Sequence, residues 1–235
     1  AFLQQFQSVD LVTSLPLYLN DFCISAPGYN DGGTGHRVLY RGGLASVEQT
    51  PEAISRFLDA MPFATNCDRT NALAFALTVQ LAHLWPGEKP LFPVTGTKSH
   101  SGKDTLVKFA AGSSKAVSIS YQSPDWPIER SVVGLIKQSP DLKLICVENA
   151  RTEKQAGRIS SAFIERFVTD PRPFLFSTGT GCPVHLPNRF VVAISTNYGT
   201  LSEDLANRSC PIHLAPRGNI EDRRTQIGNP KLEFL

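Results

Sequence analysis

Apolar positions fall in two patterns along this chain: helical periods in its first half, then short unbroken runs alternating with amphipathic stretches. Thr50-Pro51-Glu52 opens a helix, with Thr as the cap and Pro at the first position, running to about Met61 with Ile54, Phe57 and Leu58 on one face. Pro62-Phe63 breaks it. A longer helix starts at residues 66–70, and its apolar residues (Ala72, Leu73, Phe75, Ala76, Val79, Leu81, Ala82) lie nearly all round, which predicts burial on several sides. Trp85-Pro86-Gly87 ends it. Then come an apolar run at 91–94, a loop of small polar residues, and a helix carrying Leu106, Val107, Phe109 and Ala110. A strand at 116–120, an amphipathic helix at 127–138, an apolar strand at 142–147 and a helix at 157–168 follow. Two β runs, 173–176 and 184–186, flank Ser-Thr-Gly-Thr-Gly-Cys and predict a hairpin, inserted before a strand at 190–195, a short helix at 203–208 and a strand at 212–214. Strands alternating with helices predict an α/β fold with a mostly parallel sheet covered by helices on both faces. Ligand then belongs at the carboxyl ends of the strands.

The first part of the chain is less regular. Residues 11–22 are apolar without a clear period, and 37–40 predict a short strand. The Gly-rich stretch 28–37 has no strong strand before it and no helix after it, so it reads as a surface loop. Residues 1–49 read as the tail of an upstream region, 50–220 as the core and 221–235 as the start of a truncated segment. The missing initial Met and the abrupt end Pro-Lys-Leu-Glu-Phe-Leu read as a fragment of a longer protein.

Composition narrows the classes. The 235 residues, 41% hydrophobic and 19% charged, suffice for one large domain, and 17 Gly and 17 Pro exclude fibrous or low-complexity chains. No apolar run approaches the roughly 20 residues of a membrane span, and the start has no signal-peptide pattern. A net charge of +2 makes any nucleic-acid surface a local one. The five cysteines (Cys23, Cys67, Cys146, Cys182, Cys210) show no zinc spacing and read mostly as small buried hydrophobes of a reduced, cytoplasmic protein.

The candidate chemistry starts in residues 91–112, LFPVTGTKSHSGKDTLVKFAAG. Strand, Gly-Lys loop, helix is the context of a phosphate-binding loop. Amide N–H groups at a helix N-terminus and a lysine ammonium meet the charge of a polyphosphate. The nucleotide-binding residues are then Gly96, Thr97, Ser101, Gly102, Lys103, Asp104 and Thr105. In the standard spacing the first Gly falls at Thr97, and the nearest Gly is Gly96. The residue after the lysine, ordinarily Ser or Thr for magnesium, is Asp104, with Thr105 next. A basic loop capping a helix is the alternative reading of this stretch alone.

Two later strand ends add to it. The strand Leu144-Ile145-Cys146-Val147 runs into Glu148-Asn149, which places a carboxylate for Mg2+ and an amide able to orient a water but not to take its proton. The strand at 190–195 ends in Thr196-Asn197, groups able to contact a terminal phosphate or the attacking water; a plain turn is the alternative. Arg208 follows, placed to reach a nucleotide on a neighbouring subunit or, alternatively, to pair with Asp204 four residues earlier.

This order resembles the AAA+ ATPases, and within them the helicase-like ATPases of phages, plasmids and integrated elements. The resemblance covers about residues 50–220 and includes the segment Asp204-Leu205-Ala206-Asn207-Arg208-Ser209-Cys210-Pro211-Ile212-His213-Leu214. It implies a P-loop NTPase fold of the AAA+ (ASCE) type, ATP and Mg2+ as cofactors, and a homo-oligomeric ring that moves or remodels DNA. Lys103 would bind phosphate, Asp104 or Thr105 with Glu148 would serve the metal, Asn197 would be the first sensor and Arg208 the trans-acting arginine. The hairpin would line the pore. Its Arg172, Thr178, Thr180 and His185, with Lys154, Arg158 and Arg189 nearby in sequence, suggest a phosphate-tracking surface; a solvated hairpin packed by Phe174 and Phe176 is the alternative. His100 and His213 read as structural. Two other functions stay open: a scaffold or loader that binds ATP with little turnover, and a P-loop phosphotransferase such as a nucleotide kinase.

Overall fold

The computed structural model describes residues 9–31, 37–45, 51–139, 141–150, 158–172, 174–175, 184–197 and 199–218. Near the amino terminus β1 (Leu11–Thr13), β2 (Gly28–Asn30) and β3 (Val38–Tyr40) form a small sheet in the order β1-β3-β2, with β1 parallel and β2 antiparallel to β3. The Gly-rich stretch expected to be a loop therefore begins as a strand.

Helices α1 (Glu52–Ala60) and α2 (Asn66–Leu81) follow. Pro51 sits at the N-cap of α1 rather than in its first turn. A capping box starts α2: the Thr65 Oγ1 accepts from the Asp68 N–H, and the Asp68 carboxylate accepts from the Thr65 N–H. The sequence reading began this helix at Asn66 and missed the cap. From there β4 (Phe92–Gly96), α3 (Lys103–Ala111), β5 (Lys115–Ser120), α4 (Trp126–Gln138) and β6 (Leu142–Glu148) alternate strictly.

The single helix expected at 157–168 is instead β7 (Arg158–Ile159) and a shorter α5 (Ala162–Thr169). Ser161 is extended and its Oγ accepts from the Ile164 N–H, so the helix begins at that cap. The hairpin is present as β8 (Phe174–Leu175) against β9 (Val184–His185). Then come β10 (Val191–Thr196), β11 (Thr200–Leu201), α6 (Glu203–Asn207) and β12 (Ile212–Leu214).

The main sheet runs β12-β4-β10-β6-β5, and each neighbouring pair is parallel. Its two faces bury different side chains. Val94, Leu144, Cys146, Val191, Ala193, Ile212 and Leu214 pack under α1, α2 and α3 through Phe57, Phe75, Leu106 and Ala110. On the other face Ile145, Val147, Val192 and Ile194 pack under α4, α5 and Leu205 of α6. Burying each of the larger apolar side chains contributes about 1.5–3 kcal/mol. At the β12 edge, residues 62–65 cover part of the open strand: Ala64 N–H donates to the His213 carbonyl, and Ala215 N–H to that of Pro62. No helix among the described residues is long and apolar enough to cross a membrane.

Candidate nucleotide site

The loop between β4 and α3 is closed by its glycines. A Cβ on Gly96 would lie 2.0 Å from the Ser101 Oγ and 2.8 Å from its Cβ, because the buried Ser101 folds back onto the strand end. Gly102, at φ 95°, is the left-handed N-cap of α3. Only Gly fits the first position without displacing Ser101, and the second is strained for any other residue. The loop is one residue longer than the standard spacing, and Gly96 stands where the turn needs it. Thr97 is exposed, and its N–H donates to the Leu214 carbonyl, so the loop is also tied to β12. The first turn of α3 leaves amide N–H groups without intrahelical partners, which is the electrostatic basis of an anion site.

Lys103 opens α3. Its Nζ donates to the Asn197 Oδ1 at 2.5 Å and to the Ser101 Oγ at 3.4 Å. Burial holds the ammonium below the ordinary lysine range, and Asp104 opposes that shift. Strand order explains the meeting with Asn197: β10 lies directly beside β4, with Thr196 opposite Thr95. Strand alternation then puts Glu148 and Asn197 on the α3 face, because Cys146 and Ala193 pack there and each of the two lies an even number of positions further on.

Glu148 closes β6, and Asp104 lies in the first turn of α3. Burial, then Glu148, then Asp104 push the Cys146 thiol up to about 12. Both acids therefore lie near that buried sulfur, at the base of α3 and at the end of β6. Asn149 is exposed at φ 54°, just past the strand. The ends of β6 and β10 are held together by the Thr196 Oγ1 donating to the Ala150 carbonyl at 2.7 Å. Among the described residues no group of three or more His, Cys, Asp or Glu forms a closed metal cage. Mg2+ takes one or two protein oxygens and completes its shell with water and phosphate. Asp104, Thr105 and Glu148 have the right donor chemistry.

Arg208 is exposed and lies far from this cluster. Its carbonyl accepts from the Leu91 N–H, at the start of β4, while the phosphate loop leaves from the other end of that strand. About 16 Å of strand separates them. Its Nη1 donates to the Asp204 backbone carbonyl at 3.2 Å, so the carboxylate pairing considered from sequence is not the contact made. Of the hairpin residues, Arg172 is exposed next to β8, His185 lies in β9, and Thr178, Thr180 and Lys154 fall outside the described residues. Arg158 is exposed in β7. Arg189 does not join that surface; it is half-buried beside residues of the amino-terminal sheet, at the opposite end of the main sheet from the phosphate loop.

Sequence reasoning missed the link on the far side of the loop strand. Thr95 Oγ1 and His213 Nδ1 share a hydrogen bond of 2.5 Å, and the His213 N–H donates to Asp68 at 2.8 Å. No spacing rule joins residues 68, 95 and 213; only the sheet order does. The expectation of mostly buried cysteines was also too broad. All four described cysteines are free thiols, with Cys146 buried, Cys210 partly so, and Cys23 and Cys67 exposed.

Strand order, loop and lysine together define an α/β fold of the P-loop NTPase type. No protein-family model matches the chain, and no curated protein matches it. Among solved structures it is similar to the A form apo structure of the NrS-1 C-terminal region, at 12% identity, covering 93% of this chain and 52% of that one, with a TM-score of 0.48. It is also similar to JCV helicase bound to N-(4-(2-(thiazolo[5,4-c]pyridin-2-yl)phenoxy)phenyl)acetamide, at 13% identity, 78% and 49% coverage and a TM-score of 0.46. A second JCV helicase structure gives 12% identity, 73% and 48% coverage and a TM-score of 0.42. The chain spans about half the length of each of these structures.

Proposed function

We propose that this chain is an ATP-binding and ATP-hydrolysing AAA+ module of a DNA helicase or DNA-remodelling protein from a phage or mobile element, working as a homo-oligomeric ring. The observation that carries the reading is the contact of Lys103 with Asn197, on the sheet face that also carries Glu148. A lysine for the terminal phosphates, an amide within reach of the same phosphate and a carboxylate for the metal then converge at one place. Mg2+ bound there would neutralise charge on the transferring phosphate. The Asn197 amide would hold the γ-phosphate or the attacking water, and the α3 N-terminus would hold the phosphate oxygens. Arg208, too far from its own Lys103, would complete the site of the next subunit. The hairpin before β10 is the candidate DNA contact, and Arg172 is its described exposed cation.

The test is the ATPase rate against protein concentration, with and without single-stranded DNA. A rate that climbs steeply with concentration and again with DNA supports the ring motor. A second reading, an ATP-binding scaffold or loader with little turnover, is favoured by Asn149, which follows Glu148 where a second carboxylate would serve as base. A flat, negligible rate alongside measurable ATP binding would select it.

A further inference from the structure

The hairpin is rooted in a buried junction at the starts of the main-sheet strands. Asn188, between β9 and β10, is 0% exposed and bonds in four directions. Its N–H donates to the Pro171 carbonyl at 2.9 Å, which closes the neck of the hairpin. Its side-chain amide donates to the Phe167 and Asp170 carbonyls at the end of α5, at 2.7 and 3.0 Å, and its Oδ1 accepts from the Phe190 N–H at 3.2 Å. Its carbonyl accepts twice, from the Gly87 N–H at 2.9 Å and from the Lys89 ammonium at 2.6 Å.

Lys89 is the other half of the junction, and it too is buried. Its Nζ donates to the Gly87 carbonyl at 3.0 Å as well, and its N–H to the Val168 carbonyl at 3.1 Å. An ammonium is costly to bury, and the bonds it makes here fasten one stretch of main chain to another. Two residues on, the same run holds the arginine. The Leu91 N–H donates to the Arg208 carbonyl at 2.9 Å, and the Leu91 carbonyl accepts from the Cys210 N–H at 2.8 Å. Pro90, with its fixed φ, stiffens the link between Lys89 and Leu91. Residues 87–91 thus join the neck of the hairpin at one end to residues 208–210 at the other.

We propose that Lys89 is a positioning residue that ties the hairpin neck to Arg208, so that DNA held at the hairpin resets the arginine offered to the next subunit. This rests on the reading of the hairpin as the DNA contact and of Arg208 as acting in trans. A shift of the neck moves Asn188. Its carbonyl carries Lys89 with it, Pro90 and Leu91 follow, and the Arg208 main chain follows Leu91. DNA on one subunit then governs hydrolysis at its neighbour's site, through bonds that touch neither ligand.

The experiment measures the ATPase rate of the full chain at assembling concentration, with and without single-stranded oligothymidylate, beside DNA affinity by fluorescence anisotropy. Lys89→Met removes both Nζ bonds and keeps most of the side-chain volume. It should leave DNA affinity and the DNA-free rate within a few-fold of wild type and cut the stimulation by DNA about 2- to 30-fold, the range for residues along a coupling network. Hydrogen exchange on the wild type is the second measurement, and it needs no variant to fold. DNA should change the exchange of the Lys89, Leu91 and Cys210 amides. Undiminished stimulation in Lys89→Met, an equal fall of its rates with and without DNA, or unchanged exchange at those amides overturns the proposal while the wild type still responds to DNA. A wild type that binds no DNA, or whose rate DNA leaves unchanged, removes the DNA reading itself and this inference with it.

Discussion

In the proposed nucleotide site Lys103 would serve two partners in turn. Its ammonium, depressed by burial, rests on Asn197 and Ser101. With nucleotide it would turn to the phosphates and leave the Asn197 amide to the reacting end. Lys103→Ala should abolish nucleotide binding, whereas Asn197→Ala should leave binding within a few-fold and slow turnover about 10- to 100-fold. Titration with a fluorescent nucleotide beside steady-state hydrolysis separates the two. Equal loss of binding in both variants would remove Asn197 from the chemistry. Lys143 carries a prediction of a different kind. Its folded value of about 7 lies below the roughly 10.4 of an unfolded lysine. Between those values the unfolded chain holds a proton that the folded chain has released, so stability rises with pH, by up to about 1.4 kcal/mol per pH unit. Urea unfolding of the wild type between pH 7 and 10 should show this slope, and Lys143→Met should flatten it. Parallel pH curves for the two proteins would mean that the lysine is not held neutral.

At the scale of elements, α2 is the helix that most depends on a local device. Its start is fixed by the reciprocal bonds of Thr65 and Asp68, and the Asp68 carboxylate also reaches the His213 N–H on β12. The cap therefore ties a helix to the edge strand beside the phosphate loop. Thr65→Ala should cost about 1 kcal/mol, up to about 2, measured by chemical denaturation. A loss below about 0.3 kcal/mol would show that burial alone fixes the helix start. The same helix shows where sequence was legible. Its apolar face, and the alternation from residue 91 onward, follow from side-chain period, and that was enough for the class of fold. The run at 142–147 became β6 almost unchanged, because parallel strands buried on both faces are mostly apolar, and 212–214 became β12, with Ile212 and Leu214 buried on either side of an exposed His213. Residues 157–168 were misjudged because a two-residue strand followed by a serine cap has the same apolar spacing as a continuous helix. Strand order was not legible at all. That β10 lies between β4 and β6 is a long-range packing outcome, and it is what brings Asn197 to Lys103. The candidate site was readable as a set of residue types, Gly102, Lys103, Glu148 and Asn197, but not as a geometry. Arg189 shows the same limit: nearness in sequence to the hairpin gave no guide to a side chain that folds toward the other end of the sheet.

For the whole molecule, the decisive feature is the distance between Arg208 and the phosphate loop of the same chain. Leu91 and Gly96 bracket β4, with Arg208 bonded at its start and Lys103 approached from its end. An arginine side chain cannot bridge that length, so if Arg208 acts on nucleotide it acts on another subunit's. Head-to-tail interfaces of that kind close into rings when the rotation permits. Arg208→Ala should then spare ATP binding and cut turnover by about 10³-fold. Lys103→Ala should be inactive for the complementary reason, lacking a bound nucleotide while still offering its arginine. Mixing the two inactive proteins is the sharper measurement. In a randomly mixed ring about a quarter of the interfaces pair an intact phosphate loop with an intact arginine, so activity should reappear in the mixture. Recovery that requires mixing, and that vanishes on dilution below the assembly range, would place the active site between subunits. If both proteins stay silent together, or if Arg208→Ala alone keeps full activity when assembled, the arginine belongs to the surface of its own chain and the site must be completed by some other group.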